Sequence, residues 1–162
     1  MTQAEKDKII KELQEKLAEA EKIKVDEPKR WKPNKYKTYW LVDNCGGVGE
    51  VTWQNGDYDK WHYVTGNCFK TKEEAEEHRK QIEYTARYKN YIEEHSEPID
   101  WKNAKTLKYY AYMRIETQEI EVDNYDRYKI QGTIFASNGQ VIWDAIKEIG
   151  EDNFKKYVLG VK

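Results

Sequence analysis

The sequence predicts an α+β fold: an N-terminal helix, then an antiparallel sheet carrying two strand-to-helix units. Three observations predict it. Stretches rich in Tyr, Trp, Thr, Val and Leu are bounded by turn signals, as half-buried strands require. Thr71 and Ser137 each head a segment whose apolar residues recur at spacings of three and four, the pattern of a capped helix. The first 24 residues are rich in charged side chains around one thin apolar stripe.

Taken in order, residues 2–24 read as a helix, with Thr2 and Glu5 as a capping box and Ile10, Leu13, Leu17 and Ala20 as the stripe. Such a stripe suits docking on the body of the chain or a short coiled-coil seam, hence a monomer or a dimer through this helix. Pro28 and Pro33 bracket Lys29, Arg30, Trp31 and Lys32, so residues 28–35 read as a linker. Tyr36 to Val42 and Val48 to Trp53 form a hairpin around Asn44, Cys45, Gly46 and Gly47. Asn55, Gly56 and Asp57 signal another turn, after which Lys60 to Thr65 reads as the third strand of a meander. Phe69, the Thr71–Glu74 capping box and Ala75, His78, Ile82, Ala86, Tyr88 and Tyr91 predict a long helix ending before Pro98.

The second half repeats that order: a strand from Tyr109 to Ile115, an acidic loop from Glu116 to Asp126, and a strand from Arg127 to Ile134. A helix capped by Ser137 follows, with Val141, Ile142, Ala145, Ile146 and Ile149 on one face and Gly150 at its end. Phe154, Tyr157, Val158 and Leu159 close the chain as a short amphipathic tail. The expected organisation is residues 1–27 as helix, 28–35 as linker, and 36–162 as one domain with halves 36–97 and 98–162.

An internal repeat underlies the two halves. Tyr58, Asp59, Lys60 and Trp61 match Tyr125, Asp126, Arg127 and Tyr128, and the run Gly66 to Thr71 matches Gly132 to Ser137. Glycine for the bend, Phe69 or Phe135 as a buried staple and a hydroxyl cap give each unit the same expected form.

The composition bounds the function. Basic and acidic residues nearly cancel, 28 against 30, so a wholly basic nucleic-acid binder and a polyanionic mimic are both disfavoured. Thirteen Tyr and six Trp exceed what a core of this size hides easily. Cys45 and Cys68 read as reduced thiols, and neither an apolar leader nor a membrane span is expected, so the expected location is the cytoplasm. His62, His78 and His95 lack metal-ligand spacing, and the usual nucleophile, phosphate and zinc motifs are missing; no cofactor and no enzymatic activity are expected.

Two local constellations remain. Lys29, Arg30, Trp31, Lys32, Lys35, Tyr36 and Lys37 interleave cations with rings, as a phosphate backbone with stacked bases requires, although lysines on an edge also serve solubility. Glu116, Glu119, Glu121, Asp123 and Tyr125 form an acidic run that suits a basic protein groove or a solvated loop.

Trp31-Lys32-Pro33, Tyr39-Trp40, the run from Gly66 to Glu76 and the run from Ala145 to Glu151 resemble a family of small phage and prophage accessory proteins, over about residues 30–160. Asn138, Gly139 and Gln140 depart from that family's acidic helix start, and the N-terminal helix has no counterpart in it. The resemblance carries over no functional residue. It implies a non-enzymatic protein that inhibits or adapts host machinery, most concretely an anti-CRISPR-type inhibitor of a host defence nuclease. A single-stranded nucleic-acid binder and a sponge for a signalling nucleotide are the alternative expectations.

Overall fold

The computed structural model describes residues 3–22, 30–125 and 129–161. The α+β arrangement is as expected, but the strands form two separate antiparallel hairpins rather than one sheet. Helix α1 spans Gln3–Lys22; its Thr2 cap lies outside the described residues, as do the side chains of Leu17 and Ala20. Ile10 and Leu13 are exposed, so the expected docking of this stripe on the body is not made there. A stripe this narrow buries too little apolar surface to hold a charged helix down.

In the first half, β1 (Thr38–Val42) pairs with β2 (Val48–Thr52) in the register Thr38↔Thr52 to Val42↔Val48. On the other edge of β1, Trp40 and Phe69 exchange both backbone hydrogen bonds at 2.9 Å. The Asn67 amide extends that edge by imitating a peptide group, accepting from Val42 N at 2.8 Å and donating to Val42 O at 2.7 Å. The expected third strand, Lys60 to Thr65, is instead part of helix α2 (Asp57–Thr65). Asp57 and Asp59 in the first turn favour a helix start, and the hydrogen bond of Asp59 from Tyr39 on β1 decides against the hairpin reading of Asn55 and Gly56.

Helix α3 (Lys72–His95) begins with the expected capping box, Thr71 Oγ1 accepting from Glu74 N and Glu74 accepting from Thr71 N. At 24 residues it is about 36 Å long and serves both halves. Its start packs on the first hairpin, while Tyr88 and Ile92 enter the second core.

The second half departs from expectation in its strands. β3 (Lys108–Met113) pairs with β4 (Ile120–Tyr125), so most of the predicted acidic loop is a strand. Ile120 and Val122 face the core cluster while Glu121 and Asp123 alternate with them. The predicted strand from Arg127 to Ile134 is not formed over residues 129–134, and residues 126–128 lie outside the described set. Helix α4 (Gly139–Ile149) is capped by Asn138, which accepts from Gln140 N at 2.8 Å. Ser137, the expected cap, instead accepts from Glu97 N and contacts Ser96 Oγ, tying the end of α3 to the start of α4. Helix α5 (Glu151–Asn153) runs into a π-helical turn, Phe154–Val158, whose Phe154 closes the core.

The expected strand-to-helix repeat is not formed, since residues 60–65 are helical and 129–134 are not a strand; what the halves share is a backbone pairing just before each long helix. Tyr109 pairs with Ala136 as Trp40 pairs with Phe69, each strand contact standing two residues before its helix cap. The counterpart of Phe69 is therefore Ala136, and buried Phe135 corresponds to buried Cys68. Phe69 itself is only half-buried, because it sits at the mouth of a cleft. Gly66 and Gly132 both adopt positive φ, 90° and 80°, but their bends are not equivalent: Gly66 ends α2 three residues before Phe69, whereas Gly132 stands four residues before Ala136. The other proposed match fails: Tyr58 to Trp61 are helical, whereas Tyr125 ends a strand.

Candidate functional site

Helix α2 starts at Gly56, which has no side chain with which to cap it. Asp59 supplies the missing acceptor. Its Oδ2 takes the backbone N–H of Gln54 at 2.8 Å and of Gly56 at 3.0 Å, and its Oδ1 takes the Tyr39 hydroxyl at 3.1 Å. Burial alone raises a carboxyl pKa, yet hydrogen bonds from Gln54, Gly56, Tyr39 and Asn55 outweigh it and hold Asp59 below the usual range.

An ionised carboxylate only accepts hydrogen bonds. Tyr39 therefore gives its single proton to Asp59, and the 2.8 Å contact between the Tyr39 oxygen and His62 Nδ1 is donated by His62. Burial, reinforced by Asp59, pushes the Tyr39 pKa well above its ordinary value and keeps the hydroxyl protonated. The relay fixes one proton of His62 on Nδ1. In the neutral ring, Nε2 is then left as an acceptor.

His62 lines an open cleft of about 510 Å³ with Asn44, Asp57, Tyr58 and Trp61. Asn44 comes from the β1–β2 turn, which Asp43 holds by accepting from Cys45 N and Gly47 N at 2.8 Å each. Along the outer face of α2, Tyr58, Trp61 and Val64 are 84%, 61% and 78% exposed. Their spacing of three places them on one side of the helix, while Asp59 and Tyr63 turn inward to Tyr39 and Trp53.

The sequence-predicted basic residues flank this helix on its inner side. Arg30 lies 4.7 Å over the Tyr63 ring, and Lys32 lies 5.4 Å from both the Trp53 and Tyr63 rings. Trp31 packs against the cluster of Tyr39, Leu41, Trp53 and Cys68. Lys35 stands over Tyr36 at 4.9 Å, and Lys37 is exposed with its carbonyl bound to Trp53 N. The linker is thus anchored on the first hairpin.

The acidic residues sit on the other hairpin and are not brought to the basic ones. Glu121 is held by Arg114 through Nε at 2.6 Å and a terminal nitrogen at 2.8 Å, and by the Tyr112 hydroxyl. These bonds lower its pKa to about 2. Glu116 and Glu119 are exposed near the turn, Asp123 accepts from Asn124 N, and Tyr125 lies 6.3 Å from the Tyr110 ring. Glu121 is therefore satisfied inside its own hairpin.

A larger cleft of about 660 Å³ lies between the start of α3 and the C-terminal turn. Two of its carboxylates are already engaged: Glu74 caps α3, and Glu77 pairs with Lys156 at 2.8 Å. The α2 cleft differs in presenting unused ring faces and a histidine set by a buried acid.

Sequence reasoning missed Tyr39, Asp59 and His62 as a unit because they come from a strand and a helix that was read as a strand. The signal available was Asp57 and Asp59 after Gly56, the composition of a helix first turn. Among the described residues, no group of three or more His, Cys, Asp or Glu side chains is placed to hold a metal ion, and no helix is long and apolar enough to cross a membrane. Comparison with known proteins finds no matching family model, no matching curated protein and no matching solved structure.

Proposed function

We propose that this protein works without catalysis, by binding another protein through the outer face of α2. The observation that carries the reading is the exposure of Tyr58, Trp61 and Val64 together on one side of a helix whose other side places Asp59 and Tyr63 against the first hairpin. Scattered exposed rings are ordinary, but a Tyr and a Trp adjacent on one helix face are the side chains that supply most of the energy at protein interfaces, with Val64 extending the apolar surface beside them. The specific form implied by the resemblance to phage accessory proteins is stoichiometric inhibition of a host defence nuclease in the bacterial cytoplasm, as an anti-CRISPR protein does.

A second reading, single-stranded nucleic-acid binding, draws on Arg30 and Lys32 held over Tyr63 and Trp53. Such binding weakens steeply with salt, whereas an apolar protein interface changes little.

A photo-crosslinking amino acid placed at Tyr58, with exposed Glu94 as the control position, tests the first reading in bacterial cells. The expected result is a discrete protein adduct from position 58 that survives nuclease treatment and disappears with Trp61→Ala, and inhibition of that partner near one-to-one. Adducts equal at both positions, adducts lost on nuclease treatment, or turnover at substoichiometric protein overturn it.

A further inference from the structure

The α2 cleft combines two features that one ligand chemistry answers together. Its walls are the exposed rings of Tyr58 and Trp61, whose faces attract cations. Its polar groups are a carboxylate, an amide and an imidazole: Asp57, Asn44 and His62. Because Tyr39 donates its hydrogen bond to Asp59 and accepts one from His62 Nδ1, Nε2 is the ring nitrogen left to meet a ligand. The cleft is thus set to receive hydrogen-bond donors.

The charges point the same way. A helix start carries about half a positive charge. Asp57, the carboxylate that lines the cleft, offsets it. Lys60 meets Asp57 at 3.4 Å, but both side chains are largely exposed, so the contact is weak and readily exchanged for a better donor. An anion meets Asp57 unfavourably here. A purely apolar side chain makes no use of Asp57, Asn44 or His62.

We propose that the cleft is an arginine-reading site: a guanidinium from the partner protein lies against Trp61 and Tyr58, pairs with Asp57, and donates to His62 Nε2 and the Asn44 carbonyl. A guanidinium suits this better than an ammonium because it is planar, stacks on rings and spreads several N–H donors in a fork. The proposal rests on the reading of α2 as the docking face and adds what that face selects.

The probe is N-acetyl-arginine methylamide, titrated into the full-length protein beside its citrulline counterpart, which keeps the shape and loses the charge. The readouts are the Trp61 indole N–H and the His62 ring nitrogens by NMR. Saturable shifts at both residues are expected with the arginine probe. Trp61→Ala should weaken binding about two- to fivefold, as loss of an exposed cation–π contact does. Asp57→Asn should weaken the arginine probe and leave citrulline unchanged. Trp61 and Asp57 are exposed and Asp59 still caps the start of α2, so neither change removes the fold, which circular dichroism of each variant checks. Equal affinity for arginine and citrulline, or shifts that leave His62 unmoved, overturn the proposal. If position 58 still crosslinks to a protein after such a result, α2 remains the docking face and only arginine selection falls. If the arginine probe binds while position 58 fails to crosslink, the cleft reads guanidinium ligands and the docking reading falls alone.

Discussion

Removing the Asp59 carboxylate with Asp59→Ala tests the account of α2 most directly. Three donors lose their acceptor: Gln54 N, Gly56 N and the Tyr39 hydroxyl. Hydrogen bonds to a charged group are worth about 1.5–3 kcal/mol each when the donor is left buried. Gln54 and Gly56 are exposed and recover water, so each loses only a fraction of that, whereas Tyr39 is fully buried. The expected total is about 3 kcal/mol, which in a chain of this size lowers the unfolding midpoint by about 6–12 °C. Thermal unfolding followed by circular dichroism measures it. Tyr39→Phe should cost less, because Asp59 keeps both backbone donors, and the two changes together should be less than additive. The pH dependence follows in sign. Asp59 has its folded pKa lowered, so its contribution is present above about pH 4, the unfolded carboxyl range. It is lost as pH falls through the lowered folded value, and Asp59→Asn should flatten that acid limb. A midpoint for Asp59→Ala within 2 °C of the parent, taking about 1 kcal/mol as detectable, refutes the reasoning.

Three further outcomes are expected. Phe135→Ala should cost about 3–5 kcal/mol, because the ring is buried against Trp101 and Tyr110, and half-buried Phe69→Ala about 1–2; denaturant melts showing equal losses contradict the register shift between the halves. Arg114→Ala should raise the Glu121 titration midpoint from about 2 toward the ordinary 4.3 or so in carboxyl NMR, with little change in melting because the pair is exposed; an unmoved midpoint contradicts it. Cys68 is buried and its thiol is pushed up to about 11 by that burial, with Arg30 opposing and Asp59 adding, so a thiol reagent near pH 8 should modify exposed Cys45 at once and Cys68 only on unfolding. Two fast thiols contradict the packing of the first half.

Helices α3 and α4 were legible in the sequence because their signals are local. The Thr71–Glu74 box, the Ile142–Ile146–Ile149 face and Gly150 act within a turn or two of the chain, and tertiary contacts reinforce them. The first hairpin was legible for the same reason, its turn residues lying between two β-favouring runs. Segments that serve two patterns at once were misread. Asn55-Gly56-Asp57 is both a hairpin turn and a helix start, and Asp59 decides between them only by reaching Tyr39 on β1. The run from Ile120 to Asp123 is both an acidic loop and a strand, and the choice falls to Ile120 and Val122 packing into the second core.

The sequence by itself determined the α+β class, the repeated order of hairpin and helix, and an excess of aromatic residues over what the core absorbs. Each depends on short-range periodicity or on composition. Only the tertiary structure decided which rings stay outside. Trp53 and Trp61 have the same chemistry, yet Trp53 is buried under Tyr39 and Tyr63 while Trp61 faces solvent. It likewise decided that Asp59, Tyr39 and His62 form one relay, because hydrogen-bond partnership across 20 or more residues follows from how a strand and a helix cross, which local spacing does not encode.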